Sequence, residues 1–171
     1  MSTQDKQLIF SVKHSGTRSL RKHIPGITGW SHYPDDVNYG GDLVDTGEWL
    51  ADNGVVHFGD GSWRKMLQWE GRVDIPIRNP MAIAQSWAGR YGMTERTITE
   101  VLHDLTEMID YIGQRPDAIL HKIEDLGIIE GHEPLRPERV LSGSAIKRIT
   151  NWCNKRQYFY DEFGYRPGVD A

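Results

Sequence analysis

Along the 171-residue chain, short apolar runs alternate with longer stripes at helical spacing. Residues 8–12 read as a buried strand that runs straight into His14-Ser-Gly-Thr-Arg-Ser-Leu20. There Ser15 or Thr17 can open a helix lasting to about His23, before Pro25-Gly26 stops it. Residues 27–47 are rich in Gly, Pro, Asp and Tyr and predict a loop-dominated segment. Residues 54–58 form a second strand candidate, and Asp60-Gly-Ser62 turns into a short helix with Met66, Leu67 and Trp69 for its buried face. A third strand, residues 72–77, ends at Asn79-Pro80. Proline suits a first helical turn, so a helix over 80–91 follows.

Thr94 opens the clearest helix: Ile98, Val101, Leu102, Leu105, Met108, Ile109 and Ile112 recur at three- and four-residue spacing, and Gly113 closes it. That stripe reads as core packing rather than a partner-binding face. Residues 118–122 predict a fourth strand, followed by a turn at Asp125-Leu-Gly127. A last amphipathic helix is expected over about 144–163, with Gly164 as its stop and Cys153 buried in it. Strands alternating with helices, without repeats or a linker, imply one α/β domain over residues 1–171: three layers around a mostly parallel sheet.

Composition narrows the class. With 24 acidic and 20 basic side chains the formal charge is −4, a poor match to bulk nucleic-acid or anionic-membrane binding. No apolar run approaches the ~20 residues of a membrane helix, the polar start lacks a signal-peptide core, and a lone Cys153 excludes an internal disulfide. A cytoplasmic protein is expected. The distribution of charge says more than its sum. Between Asp5 and Asp35 there is no acid but Lys6, Lys13, Arg18, Arg21 and Lys22; between Asp74 and Glu95 there is no acid but Arg78 and Arg90. Two basic windows in an acidic chain point to a local site for a small anion.

Each window carries a motif. In the first, a strand leads through Ser15-Gly16-Thr17 into a helix, where outward N–H groups and the helix dipole attract an anion. Gly16 permits close approach, Ser15, Thr17 and Ser19 offer hydroxyls, and Lys13, His14 and Arg18 offer cationic or potentially cationic groups. The nucleoside-triphosphatase P-loop pattern is absent. In the second window Arg78 stands at a strand's carboxyl end, where α/β sheets bind ligands, and Ser86 follows two helical turns later.

Together these motifs resemble the sulfotransferase superfamily, which uses 3′-phosphoadenosine 5′-phosphosulfate (PAPS) as donor. His14-Ser-Gly-Thr-Arg18 is similar to its 5′-phosphosulfate loop, and Gly16 to Leu20 looks most like the heparan-type branch. Arg78 with Ser86 eight positions on is similar to its 3′-phosphate motif, and His57, ending a strand 21 positions before Arg78, resembles its catalytic histidine. Ile123-Glu-Asp-Leu126 and Phe163-Gly-Tyr165 resemble two further family segments. Two departures stand out. The family's catalytic lysine position is held by His14, with Lys13 one residue early, and Ser142 to Lys147 is only a faint counterpart of the C-terminal cofactor loop.

The resemblance implies a P-loop-like (sulfotransferase) topology and transfer of a sulfuryl group from PAPS to an acceptor hydroxyl or amine, leaving PAP and needing no metal. His14, Ser15, Gly16, Thr17, Arg18 and Ser19 would bind the 5′ end, with His14 or Lys13 stabilising the leaving oxygen. Arg78 and Ser86 would read the 3′-phosphate, and His57 would accept the acceptor's proton, Glu48 being the rival base. His23, His32, His103, His121 and His132 show no metal-ligand spacing and read as structural or surface residues. Trp30, Tyr33, Tyr39 and Trp49 either line an acceptor pocket or fold onto the core. The short chain leaves little acceptor-binding architecture, which implies an open site, a macromolecular acceptor or a completing subunit. The alternative is an interaction module that keeps the nucleotide pocket without turnover.

Overall fold

The computed structural model describes residues 7–24, 55–59, 62–126 and 134–165. Four strands, β1 (Gln7–Ser11), β2 (Val55–His57), β3 (Arg72–Ile77) and β4 (Ile119–Lys122), form one all-parallel sheet in the order β2-β1-β3-β4. Between and after them lie α1 (Thr17–His23), α2 (Ser62–Met66), α3 (Pro80–Tyr91), α4 (Glu95–Gln114), α5 (Gly143–Asn154) and α6 (Gln157–Tyr160). Helices on both faces of a parallel sheet fit a three-layer α/β arrangement.

The period-two alternation of the strands sorts their side chains into two cores. Leu8, Phe10 and Val12, with Val56 and with Val73, Ile75 and Ile77, pack against α3, α4 and α5. Ile9 and Val55 face the other way, onto Leu20 and Ile24 around α1 and onto Ile123 after β4. On that second side β3 presents Asp74, fully buried, and its carboxylate is satisfied by Arg72 (two bonds of 2.9 Å) and His121 (2.7 Å).

Helix starts follow from capping. The Asn79 side chain accepts from the Met81 N–H ahead of Pro80, Thr94 accepts from Thr97, and Ser142 accepts from Ala145. Ends follow the sequence less closely. The α4 helix passes through Gly113 to Gln114 and stops at Arg115, whose guanidinium is tied to the Trp69 and Gly71 carbonyls and to Asp117. The single last helix expected over 144–163 is broken instead: α5 ends at Asn154, α6 follows, and a 3-10 turn spans Asp161–Phe163. Cys153 and Phe159 are six positions apart, so one straight helix cannot bury both on one stripe, and the chain turns at Lys155-Arg156 to deliver Phe159 and Tyr160 to the core. Gly164, at φ 71, ends that turn. The short helix α2 stops at Met66, leaving Trp69 buried just beyond it, and a 3-10 turn, Ile123–Leu126, stands where a turn at Asp125-Leu-Gly127 was expected. Among the described residues no helix is long and apolar enough to cross a membrane.

Candidate functional site

Because the sheet is parallel, the residues that follow each strand gather at one edge. The chain leaves β1 towards β2 on one side and leaves β3 towards β4 on the other, so a crevice opens between the carboxyl ends of β1 and β3. The two motifs meet there. Nη1 of Arg78 donates to the His14 carbonyl at 2.7 Å, and Nδ1 of His14 lies 3.0 Å from the Ser86 hydroxyl. Residues 72 positions apart are thus joined by one hydrogen bond.

The loop after β1 is shaped by backbone rather than hydroxyl chemistry. His14 and Gly16 both take positive φ (65 and 94), and Gly16 opens α1 without a side-chain cap. Two hydroxyls expected to face an anion do not: Ser15 donates to the Val12 carbonyl and Thr17 to Ser11, and both residues are buried. Each is drawn inward because a buried hydroxyl needs a partner, and the Ser15 N–H also goes to the Val12 carbonyl at 3.1 Å, so what this pair can offer an anion is the Thr17 main-chain N–H. Arg18 is exposed, while Ser19 and Lys13 are half-buried.

His14 is not a cation in this setting. Burial first, then the charges of Arg90 and Arg78 and of His57 and Lys13, push its pKa from 6.5 down to about 4. The ring is neutral at pH 7, packed near Trp87 and edge-on to Tyr91 (5.7 Å between centroids). Arg78 is 8% exposed, and its Nε has no hydrogen-bond partner among the described residues. Burial works against its charge, and Glu124 with Tyr165 offsets that. Those two residues belong to the two further segments singled out in the sequence. The Tyr165 hydroxyl sits against the Glu124 carboxylate and 3.1 Å from the Ile77 carbonyl, directly behind Arg78. His57, paired in register with Ser11, is buried at the end of β2, close enough for its charge to bear on His14.

Sequence reasoning missed a second group. Asp104 and Glu107 are buried on α4, on the flank of its apolar stripe. Glu107 accepts the Gly59 N–H at 2.9 Å, His103 lies 3.4 Å from Asp104, and the Lys13 charge acts on Asp104. Burial raises the Asp104 carboxyl to about 7. Donor atoms of His103, Asp104 and Glu107 lie within 4.8 Å of one another, a proximity that the histidine spacing alone does not reveal. The signal available in the sequence was two acids at three-residue spacing on the flank of an apolar helix stripe.

Other expectations fall elsewhere. Ser142 caps α5, an ordinary helix start rather than a cofactor loop. Cys153 is fully buried, and burial raises its thiol to about 12. An open cleft of about 480 Å³ lies beyond β4, against Lys122, Asp125 and Glu162, and none of the expected site residues lines it. Glu48, Trp30, Tyr33, Tyr39, Trp49, His32 and His132 lie outside the described residues.

Fold and site together define an α/β protein with a four-stranded parallel sheet and a cluster of basic side chains at its carboxyl edge. Compared with family models, with curated proteins and with solved structures, the chain matches none.

Proposed function

We propose that this protein is a small cytoplasmic sulfotransferase of P-loop-like topology, moving a sulfuryl group from PAPS to an acceptor hydroxyl or amine. The observation that carries the reading is the junction of the two anion motifs: Arg78 bonded to the His14 carbonyl and Ser86 bonded to the His14 ring, in the crevice between β1 and β3. The residues suit a multiply anionic nucleotide. The charges of Arg78, Arg90 and Lys13 act on His14, and a buried guanidinium nitrogen of Arg78 has no hydrogen-bond partner among the described residues.

Bound there, PAPS supplies a sulfuryl group activated by its bond to the 5′-phosphate. Main-chain N–H groups of residues 16–19, with Arg18, hold the 5′ end, and Lys13 balances the charge that grows on the departing phosphate oxygen. His14, neutral, contributes a hydrogen bond rather than a charge. Arg78 and Ser86 border the 3′-phosphate. As the acceptor oxygen bonds to sulfur and the sulfur–phosphate oxygen bond breaks, the acceptor's proton passes to His57, a step worth roughly 10²–10⁴-fold.

A second reading has its own observation. With the ring at position 14 neutral, the family's lysine position lacks a fixed charge, which favours a binding module that holds the nucleotide without turnover. Calorimetry with 3′,5′-ADP and 5′-AMP tests the shared premise: a clear preference for 3′,5′-ADP is expected, and equal binding refutes it. Labelled-sulfate transfer from PAPS to a panel of alcohols, phenols, amines and sugars then separates enzyme from module. Unchanged transfer by His57→Ala would move the base elsewhere, with Glu48 next.

A further inference from the structure

We infer that Arg90, at the exposed end of α3, is a direct oxyanion-binding residue that completes a subsite with Ser86 and His14, while Arg78 serves beneath it as the brace of the loop. Arg90 follows Ser86 by one helical turn, so the two share a face of α3. That face is turned to His14, because the Ser86 hydroxyl lies 3.0 Å from its Nδ1. Tyr91 packs edge-on against the same ring, and the Arg90 guanidinium lies 5.5 Å from the Tyr91 ring centre. Arg90 makes no ion pair among the described residues, and its guanidinium is exposed and rests over the Tyr91 ring. Arg78 is the opposite case, nearly buried and with one nitrogen spent on the His14 carbonyl. An anion arriving from solvent meets Arg90 first.

The chemistry of the three groups is complementary. A neutral imidazole and a hydroxyl carry one donor each and spend one on their mutual bond. The pair therefore keeps one donor for an anion: Nε2–H of His14 where Ser86 donates to Nδ1, or the Ser86 O–H where Nδ1–H donates to it. A planar guanidinium matches two oxygens of a tetrahedral anion at once. The ligand class is therefore a phosphate or sulfate group. Identifying it as the 3′-phosphate of the nucleotide rests on the function proposed above; the subsite itself does not.

The test is titration of the wild-type protein and of Arg90→Gln, Arg90→Lys and Arg96→Gln with inorganic phosphate and inorganic sulfate, followed by 3′,5′-ADP and 5′-AMP. Arg96 is exposed on α4 and paired with Glu100, so its variant controls for net charge alone. Phosphate binding is expected to weaken about tenfold in Arg90→Gln, to recover in part in Arg90→Lys and to hold in Arg96→Gln. Arg90→Gln is also expected to lose the preference for 3′,5′-ADP while still binding 5′-AMP. Equal phosphate affinity in wild type and Arg90→Gln, or no binding of phosphate or sulfate by the wild type, overturns the inference. If phosphate binding depends on Arg90 but the wild type does not distinguish the two nucleotides, the subsite stands and the nucleotide reading falls.

Discussion

Gly16→Ala is the sharpest probe of how the loop after β1 is held. Gly16 sits at φ 94, and a Cβ there would lie 2.7 Å from Cδ1, 2.8 Å from Cγ1 and 3.1 Å from Cγ2 of Ile123. Ile123 is fully buried between α1 and the sheet, so it cannot swing aside. Two costs follow. Left-handed backbone in a residue with a side chain costs about 1–2 kcal/mol. Overlap with a fixed neighbour adds about 1–3 kcal/mol. Together they predict a loss of about 2–5 kcal/mol, a large part of a typical domain's ~5–15 kcal/mol. Only the overlap depends on Ile123, and Ile123→Ala removes all three atoms in reach at a cost of about 2–5 kcal/mol on its own. Urea denaturation of the two single variants and the double should therefore show favourable coupling of about 1–3 kcal/mol. The double variant should still lie about 1–2 kcal/mol below Ile123→Ala, the residue of backbone strain. Additive losses within about 0.5 kcal/mol would refute the packing, and a Gly16→Ala variant as stable as the parent would refute the backbone conformation too.

Four further outcomes are expected. The native His14 ring stays neutral down to about pH 4 while the unfolded ring protonates below 6.5, so stability is lost as pH falls through that window; His14→Asn should remove about 1 kcal/mol of this loss after solvent screening, read from urea midpoints at pH 4.5 and 7. Asp104 works the other way: native protein keeps its proton to about 7 and the unfolded chain releases it near 3.8, so stability falls as pH rises between them, and Asp104→Asn should flatten that fall in the same assay. Thr94→Ala removes the hydroxyl that receives the Thr97 N–H at 3.0 Å and should cost about 1 kcal/mol in thermal or urea unfolding. Cys153, fully buried with its thiol raised to about 12, should resist alkylation at pH 8 and react only when the protein is unfolded in urea.

What could be read in advance followed the range of the interaction responsible. Asn79-Pro80 and Thr94 carry their helix starts within three residues, so α3 and α4 begin where the sequence places them. Strand alternation likewise separates Ile9 from Leu8 and Phe10 before any partner is known. Helix ends were harder because distant groups decide them. Gly113 is a plausible stop only if Arg115 is not already anchored to Trp69 and Gly71, carbonyls more than forty positions earlier in the chain. The break at Lys155-Arg156 likewise reflects where the core lies relative to Phe159 and Tyr160, a fact local spacing does not contain.

The site divides along the same line. Its cations were legible because an acid-free window is a one-dimensional signal, and Arg78 and Arg90 stood out equally in it. Their roles are three-dimensional. Arg78 emerges at a strand end beneath the loop, where Glu124 and Tyr165 come up behind it; Arg90 emerges one turn past Ser86 on the helix that follows, in solvent. A motif that names an arginine therefore says that positive charge belongs at a strand's carboxyl end, and burial decides whether that arginine grips a ligand or holds the loop that does. The same reasoning explains the hidden pair on α4. Asp104 and Glu107 look like the polar flank of an amphipathic helix until β2 ends against them, and the Gly59 N–H and the Lys13 charge turn a helix flank into the acidic wall beside a basic crevice.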